Sequence, residues 1–263
     1  MPLAIPTNPL APRLERWGAG LVPFVVVLAL WAIAPLIAHF PPYALPTLAD
    51  MGQRLTASVA DGTLLRDIAT SLWQLFAGFL IGNALALPLG IAIAVDQRVS
   101  DYLRPVLTFL QSIGGIAWVP LAVVWLGVGN GAVLFVIANT IFFSTIYNTI
   151  TGVQVIPAVL HRAVRSHGGR GTQMLTELIL PGALAQIILG LRTSMAYGWR
   201  ALVGAEMIAG TNGLGFRTMD AVQWYQTDTV LLGMIVIGCL WLLMDALIFV
   251  PVERVTVHRW GLV

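Results

Sequence analysis

Apolar residues gather along this chain in long runs, and the runs are separated by short charged or Pro/Gly-rich breaks. A helix crossing a bilayer needs about 20 predominantly apolar residues. Between Trp17 and Ala49 there is no Asp, Glu, Lys or Arg, which predicts a first span at 19–39, closed by Pro41, Pro42 and Pro46. The stretch 47–67 carries Asp50, Arg54, Asp61, Arg66 and Asp67 and reads as an exposed amphipathic segment. A charge-free run, 68–95, predicts span two. A longer neutral run, 105–161, has Gly127-Val128-Gly129-Asn130-Gly131 near its centre. That cluster is a turn signal, which divides the run into span three (105–126) and span four (131–151). Residues 152–177 are polar and basic. Span five follows at 179–209, holding Arg192, Arg200 and Glu206. A polar, Gly-rich segment at 210–228 precedes span six at 229–250, which contains Asp245. The predicted fold class is an all-α membrane protein: a segment 1–18, a six-span domain 19–250 with a loop at 152–177, and a tail 251–263.

Composition agrees. Hydrophobic residues make up 58% of the chain, charged residues 10%, and the mean hydropathy is +0.85. A soluble domain averages about 45–50% apolar and about 25% charged, so a water-soluble globular protein is excluded. All 14 basic residues are arginine. Without lysine there is no Walker A loop, whose lysine reaches the β/γ-phosphates, and no Schiff base. Any ATP used must be bound by another chain. The lone Cys239 allows no internal disulfide, CxxC pair or cysteine zinc cluster. The histidines, His39, His161, His167 and His258, form no HExxH, so no metal site is expected.

The net charge of +2 is explained by basic cytoplasmic loops rather than by nucleic acid. Six spans put both termini and the segments 96–104 and 152–177 on one side. That side holds Arg13, Arg16, Arg98, Arg104, Arg162, Arg165, Arg170, Arg254 and Arg259, against Arg54, Arg66 and Arg217 on the other. This bias predicts that both termini are cytoplasmic. The first apolar run is too long for the h-region of a cleaved signal, about 7–15 residues, and reads as a retained span.

Three patterns inside the spans invite chemistry. Gly78, Gly82, Ala86, Gly90 and Ala94 recur every four residues, a spacing that lets helix backbones approach closely, within the bundle or between subunits. Gln111, Trp118 and Trp125 are seven apart and share a face if span three is one helix, as a path lining or as interfacial and core packing. Thr193, Tyr197, Arg200 and Gly204 form one stripe on span five. A guanidinium at membrane depth faces protein or water. Arg200 can therefore attract an anion in passage, or pair with Glu206 or Asp245, with Arg192 a further member of such a charge set.

Loop 152–177 reads as helix–turn–helix. Pro157 suits a helix start, Gly168 and Gly169 supply a turn, and a second short helix at about 171–178 leads to Leu180-Pro181. Here the chain resembles the inner-membrane permease subunits of bacterial ABC importers. Their signature is EAA, three residues, Gly, nine residues, then I-x-L-P. Ala163, Gly168, Leu180 and Pro181 match it; Leu178 replaces the isoleucine and Arg162 the glutamate. The chain looks most like the nitrate/sulfonate/taurine branch. The stretches that carry this are Leu45-Pro46-Thr47, Ala117-Trp118-Val119-Pro120-Leu121, Trp125-Leu126-Gly127-Val128-Gly129, Gly190-Leu191-Arg192, Gly198-Trp199, Ala205-Glu206 and Gly213-Leu214-Gly215.

The resemblance implies a type I importer permease bundle in the bacterial inner membrane. It implies a homodimer with two ABC ATPase subunits, which bind the ATP and Mg, and an external substrate-binding protein. This chain itself would hold no cofactor and would not be an enzyme. Coupling to the ATPase would fall to Pro157, Arg162, Ala163, Val164, Gly168, Leu180 and Pro181. Gln111, Trp118, Thr193, Tyr197 and Arg200 are the path candidates for a small anionic solute of the sulfonate, taurine, nitrate or aromatic-acid type. The rival reading is a self-sufficient channel or secondary transporter using Arg192, Arg200, Glu206 and Asp245. No inverted repeat of broken helices supports that rival.

Overall fold

The computed structural model describes residues 45–252 apart from Arg170, together with Val22, Val25, Val26 and 29–33. Most of the expected first span and both terminal segments lie outside the described residues. The described positions of that span are helical, and the Trp31 indole N–H donates to the Pro46 carbonyl at 3.1 Å.

Among the described residues there are helices and no strands. Helix α1 (Leu48–Ala60) opens on a capping box: the Thr47 amide and hydroxyl donate to the Asp50 carboxylate, and the Asp50 amide donates back to the Thr47 hydroxyl. These bonds hold the Asp50 carboxyl below its usual pKa. Gly62, at φ 69°, turns the chain into α2 (Thr63–Val95), which starts earlier than the charge-free run because its first two turns carry Arg66 and Asp67. Helix α3 is Gln97–Ser112; a short 3-10 turn (Gly115–Trp118) and α4 (Val119–Leu126) follow. Then come α5 (Asn130–Gln154) and α6 (Ala158–Ser166). Helix α7 (Thr172–Ala209) and helix α9 (Thr227–Val252) flank the shorter α8 (Leu214–Gln223).

Helices α2, α5, α7 and α9 are each long and apolar enough to cross a membrane. The expected third span is not one helix. Its two halves, Gln97–Ser112 and Gly115–Leu126, meet at 91°. Ile113 and Gly114 are extended, so the straight run ends at Ser112, and Pro120 falls in the first turn of α4, where its missing amide breaks no ladder. The expected loop 96–104 is therefore the first part of α3, and the expected loop 210–228 contains α8.

Helix α5 lies between α2 and α7, and glycines make both contacts. A Cβ on Gly78 would stand 2.6 Å from Ile137, one on Gly82 2.7 Å from the Ala138 carbonyl, and one on Gly90 2.9 Å from Thr149. On the other side, Gly190 meets Asn148, Gly198 meets Ile141, and Gly152 meets Gln186. The small-residue stripe thus serves contact within the chain. Lipid tails are as apolar as leucine, so close backbone packing drives such helix association. The main core cluster includes Leu75, Ile137, Ile141, Met195 and Leu202. A second, with Val153, Met174, Ile179 and Ala183, lies at the end bearing α6. Leu80, Leu85 and Leu247 are exposed on the outside, as expected of helices that face lipid.

Candidate functional site

The loop between α5 and α7 is an arm with a fixed bend. Pro157 is extended (φ −59°, ψ 134°) and precedes α6, which has no buried residue. The helix ends in a Schellman closure: the Gly169 N–H donates to the Val164 carbonyl and the Gly168 N–H to the Arg165 carbonyl, both at 3.0 Å. Gly168 sits at φ +84°, a left-handed conformation that glycine adopts without strain. Val164 is half-buried beneath Gly169 and fastens the turn. Arg162 and Ala163 are exposed, as are Val155, Val159 and Leu160. His161, Arg162 and Arg165 line a cleft of about 430 Å³ against Val95, Val153, Met174 and Ile179.

The expected second short helix is not separate. It is the first turn of α7, and Pro181 lies inside that continuous helix. Because proline has no N–H and clashes with the carbonyl four residues back, the preceding turn, Leu175–Ile179, widens to a π-turn in which the Leu180 N–H reaches the Leu175 carbonyl. The same device recurs in α9, where the π-turn Asp245–Phe249 precedes Pro251.

Further along the bundle, a polar pocket of about 540 Å³ opens between α3, α5 and α7. Gln111, Thr193 and Tyr197 line it together, with Asn139, Thr140, Ser144, Tyr147 and Asn148 of α5. The irregular backbone at Ile113, Gly114 and Gly115 forms one wall, and non-helical backbone at membrane depth is tolerated where it lines a cavity. The polar stripe on α5 was not among the sequence candidates, although its spacing (139, 140, 144, 147, 148) marks one helix face. Trp118 does not join this pocket. The 91° break turns it away: its indole N–H donates to the Ile113 carbonyl at 3.3 Å and its ring meets Phe135 edge-on, as does that of Trp125.

An adjoining pocket of about 430 Å³ lies between α7 and α9, sharing Thr193 and Tyr197 with the first. In it, Arg192 grips Asp245 with two bonds, Nε to Oδ1 at 2.8 Å and Nη2 to Oδ2 at 2.7 Å. Arg200 takes neither expected carboxylate partner. Its guanidinium carbon lies 5.6 Å from the centre of the Tyr197 ring, and the side chain is exposed.

Glu206 is fully buried and does something the sequence did not reveal. It accepts from the Ser71 hydroxyl at 2.7 Å and from the Gly215 N–H at 2.8 Å, while the Ser71 oxygen accepts from the Leu214 N–H at 3.0 Å. A carboxylate therefore caps the positive end of α8. Two further ties hold this end of the bundle. Arg217 bonds Asp67 at 2.6 Å, and Arg54 bonds Thr229 at 2.8 Å and Gln226 at 3.0 Å with Asp228 at 3.6 Å. The loop before α5 joins them through the Gly129 N–H, which donates to the Ala209 carbonyl at 2.8 Å.

Four helices long and apolar enough to cross a membrane, with a polar pocket between α3, α5 and α7, mark a membrane-integral protein. The chain belongs to the family of binding-protein-dependent transport system inner membrane components, whose model matches residues 86–256. It is an ABC importer permease of the nitrate/sulfonate/taurine branch, not an enzyme. It is 32% identical over 225 residues to the taurine transport system permease protein of Escherichia coli K12, covering 84% of this chain and 82% of that one. It is 30% identical to the putative aliphatic sulfonates transport permease protein of Bacillus subtilis 168, covering 88% and 84%. It is 32% identical to the bicarbonate transport system permease protein of Synechococcus elongatus, covering 70% and 67%. Its fold is similar to that of a chain in the inward-facing MetNI methionine ABC transporter, with a TM-score of 0.62, 18% identity and 74% of this chain and 96% of that one covered.

Proposed function

We propose that this chain forms one half of the membrane path of an ATP-driven importer for a small anionic solute of the sulfonate, taurine, nitrate or aromatic-acid type. The observation that carries the reading is the polar pocket that gathers Gln111, Thr193 and Tyr197 beside the exposed cation of Arg200. Polar side chains open to the outside of a single chain at membrane depth require water or protein against them. A second copy of the chain supplies that cover and encloses the path. The relatives named for taurine, aliphatic sulfonates and bicarbonate favour an oxygen-rich anion.

ATP and Mg belong to two separate ATPase subunits, because a chain without lysine has no Walker A loop. Helix α6 docks on them, presenting Arg162 and Ala163 beside the apolar Val159 and Leu160, while Pro157, Gly168, Leu180 and Pro181 fix the arm's bend. Solute arrives from an external binding protein. Six spans, with the first at 19–39, place both termini and the α6 arm in the cytoplasm, as the arginine bias favours.

The test is reconstitution. Liposomes holding this chain with its ATPase and binding protein should accumulate an alkyl or aryl sulfonate only with ATP. Uptake at the same rate by the chain alone overturns the reading in favour of a self-sufficient carrier.

A further inference from the structure

We infer that the pocket between α7 and α9 is a station for a planar aromatic anion, with Arg200 taking the charge and Tyr197 and Trp241 flanking the ring. The inference rests on the permease reading and narrows the solute class within it. The pocket, about 430 Å³, carries two arginines and one aspartate. Arg192 holds Asp245 by two short bonds, while Arg200 forms no ion pair among the described residues and meets only the Tyr197 ring. Arg200 lies nine residues before Ala209, about 14 Å along the helix, deep in the membrane-crossing part of α7. A cation is costly there unless an anion, water or protein meets it.

The rest of the lining is not suited to a small aliphatic anion. Tyr197 and Trp241 present aromatic surface, and Leu189 and Ala196 add apolar wall. Flat rings gain from such faces through stacked or edge-on contact. The Arg200 guanidinium is itself planar, already rides 5.6 Å from the centre of the Tyr197 ring, and can hold a carboxylate or sulfonate by its edge while stacking on a ring. A lysine offers only a point charge. Thr193 and Tyr197 are shared with the polar pocket, so a solute leaving the amide- and hydroxyl-lined space enters the cationic, aromatic one directly.

The experiment titrates the permease–ATPase complex in nanodiscs, without binding protein, with benzenesulfonate and methanesulfonate, read by calorimetry. Benzenesulfonate should bind about tenfold more tightly. Arg200→Gln should weaken both probes about tenfold. Trp241→Leu should weaken benzenesulfonate about tenfold and methanesulfonate less than about twofold, while Trp241→Phe, which keeps a ring, retains the preference. Equal affinity for the two probes, unchanged affinity for both in Arg200→Gln, or a preference that survives Trp241→Leu, overturns the inference. So does the absence of binding by a complex that hydrolyses ATP, a result that leaves the permease reading standing. That reading fails separately, if the chain transports without its ATPase.

Discussion

The Glu206 carboxylate receives the Gly215 N–H at 2.8 Å, and this bond joins the C-terminal end of α7 to the first turn of α8. The approach is possible only because positions 213 and 215 are glycine. A Cβ on Gly213 would collide with the Glu206 carboxylate, and one on Gly215 would stand 2.5 Å from the Val203 carbonyl and 2.8 Å from the Glu206 Cβ. Gly213 also sits at φ +111°. Gly215→Ala should therefore push α8 off its anchor and cost about 1–3 kcal/mol, the usual range for overpacking. Glu206→Ala should cost at least as much, since it leaves the Gly215 amide and the Ser71 hydroxyl without their acceptor. Thermal unfolding of the purified chain in micelles checks both, with unchanged midpoints counting against the anchor.

Apolar run length was legible because the bilayer sets it, and the four long helices fall where the runs do. The break in span three was not, since Gly114, Gly115 and Pro120 sit inside an uninterrupted apolar run and nothing local gives the 91° angle. Helix α8 was hidden because Gly213 and Gly215, which leave room for Glu206 at its start, read as a turn rather than a helix. Ser71 and Glu206 are 135 residues apart, so their pairing carries no local signature. The turn after α6 was readable because its Gly168-Gly169 closure is a local rule of helix ends.

Gly168 tests that arm. At φ +84°, a β-branched side chain is strained, whereas asparagine tolerates the left-handed region. Gly168→Val should abolish transport-coupled ATP hydrolysis while insertion and thermal stability of the membrane bundle stay within about 1 kcal/mol, because the site is exposed. Gly168→Asn should retain much of the coupling. Full coupling in the valine variant would remove the arm's bend from the mechanism.

Arg192 and Asp245 tie α7 to α9 across the bundle. Removing Arg192 takes both short bonds from the Asp245 carboxylate, and removing Asp245 takes them from the guanidinium. Breaking a fully buried pair costs about 3–5 kcal/mol; with the Arg192 side chain 35% exposed, about 1–3 kcal/mol is expected here. Arg192→Gln and Asp245→Asn should each lower the unfolding midpoint, and the double variant should recover part of the loss. Additive effects in that cycle would mean the two side chains do not stabilise each other.

The broken helix separates Gln111 from Trp118, and this gives opposite expectations for the two. On a straight span they share a face and both would line the path. With the 91° bend, Gln111 opens into the polar pocket and Trp118 packs on Phe135. Gln111→Leu removes a hydrogen-bonding group available to an anionic solute, and should cut uptake about tenfold, the scale of one hydrogen bond to a charged group at about 1.5 kcal/mol. Trp118→Phe keeps an aromatic body against Phe135, loses only the bond to the Ile113 carbonyl, and should alter uptake by less than about twofold while costing about 1 kcal/mol of stability. Initial uptake rates in liposomes, normalised to reconstituted protein, separate the cases. Equal losses from the two variants would restore the straight helix and remove the polar pocket's broken wall.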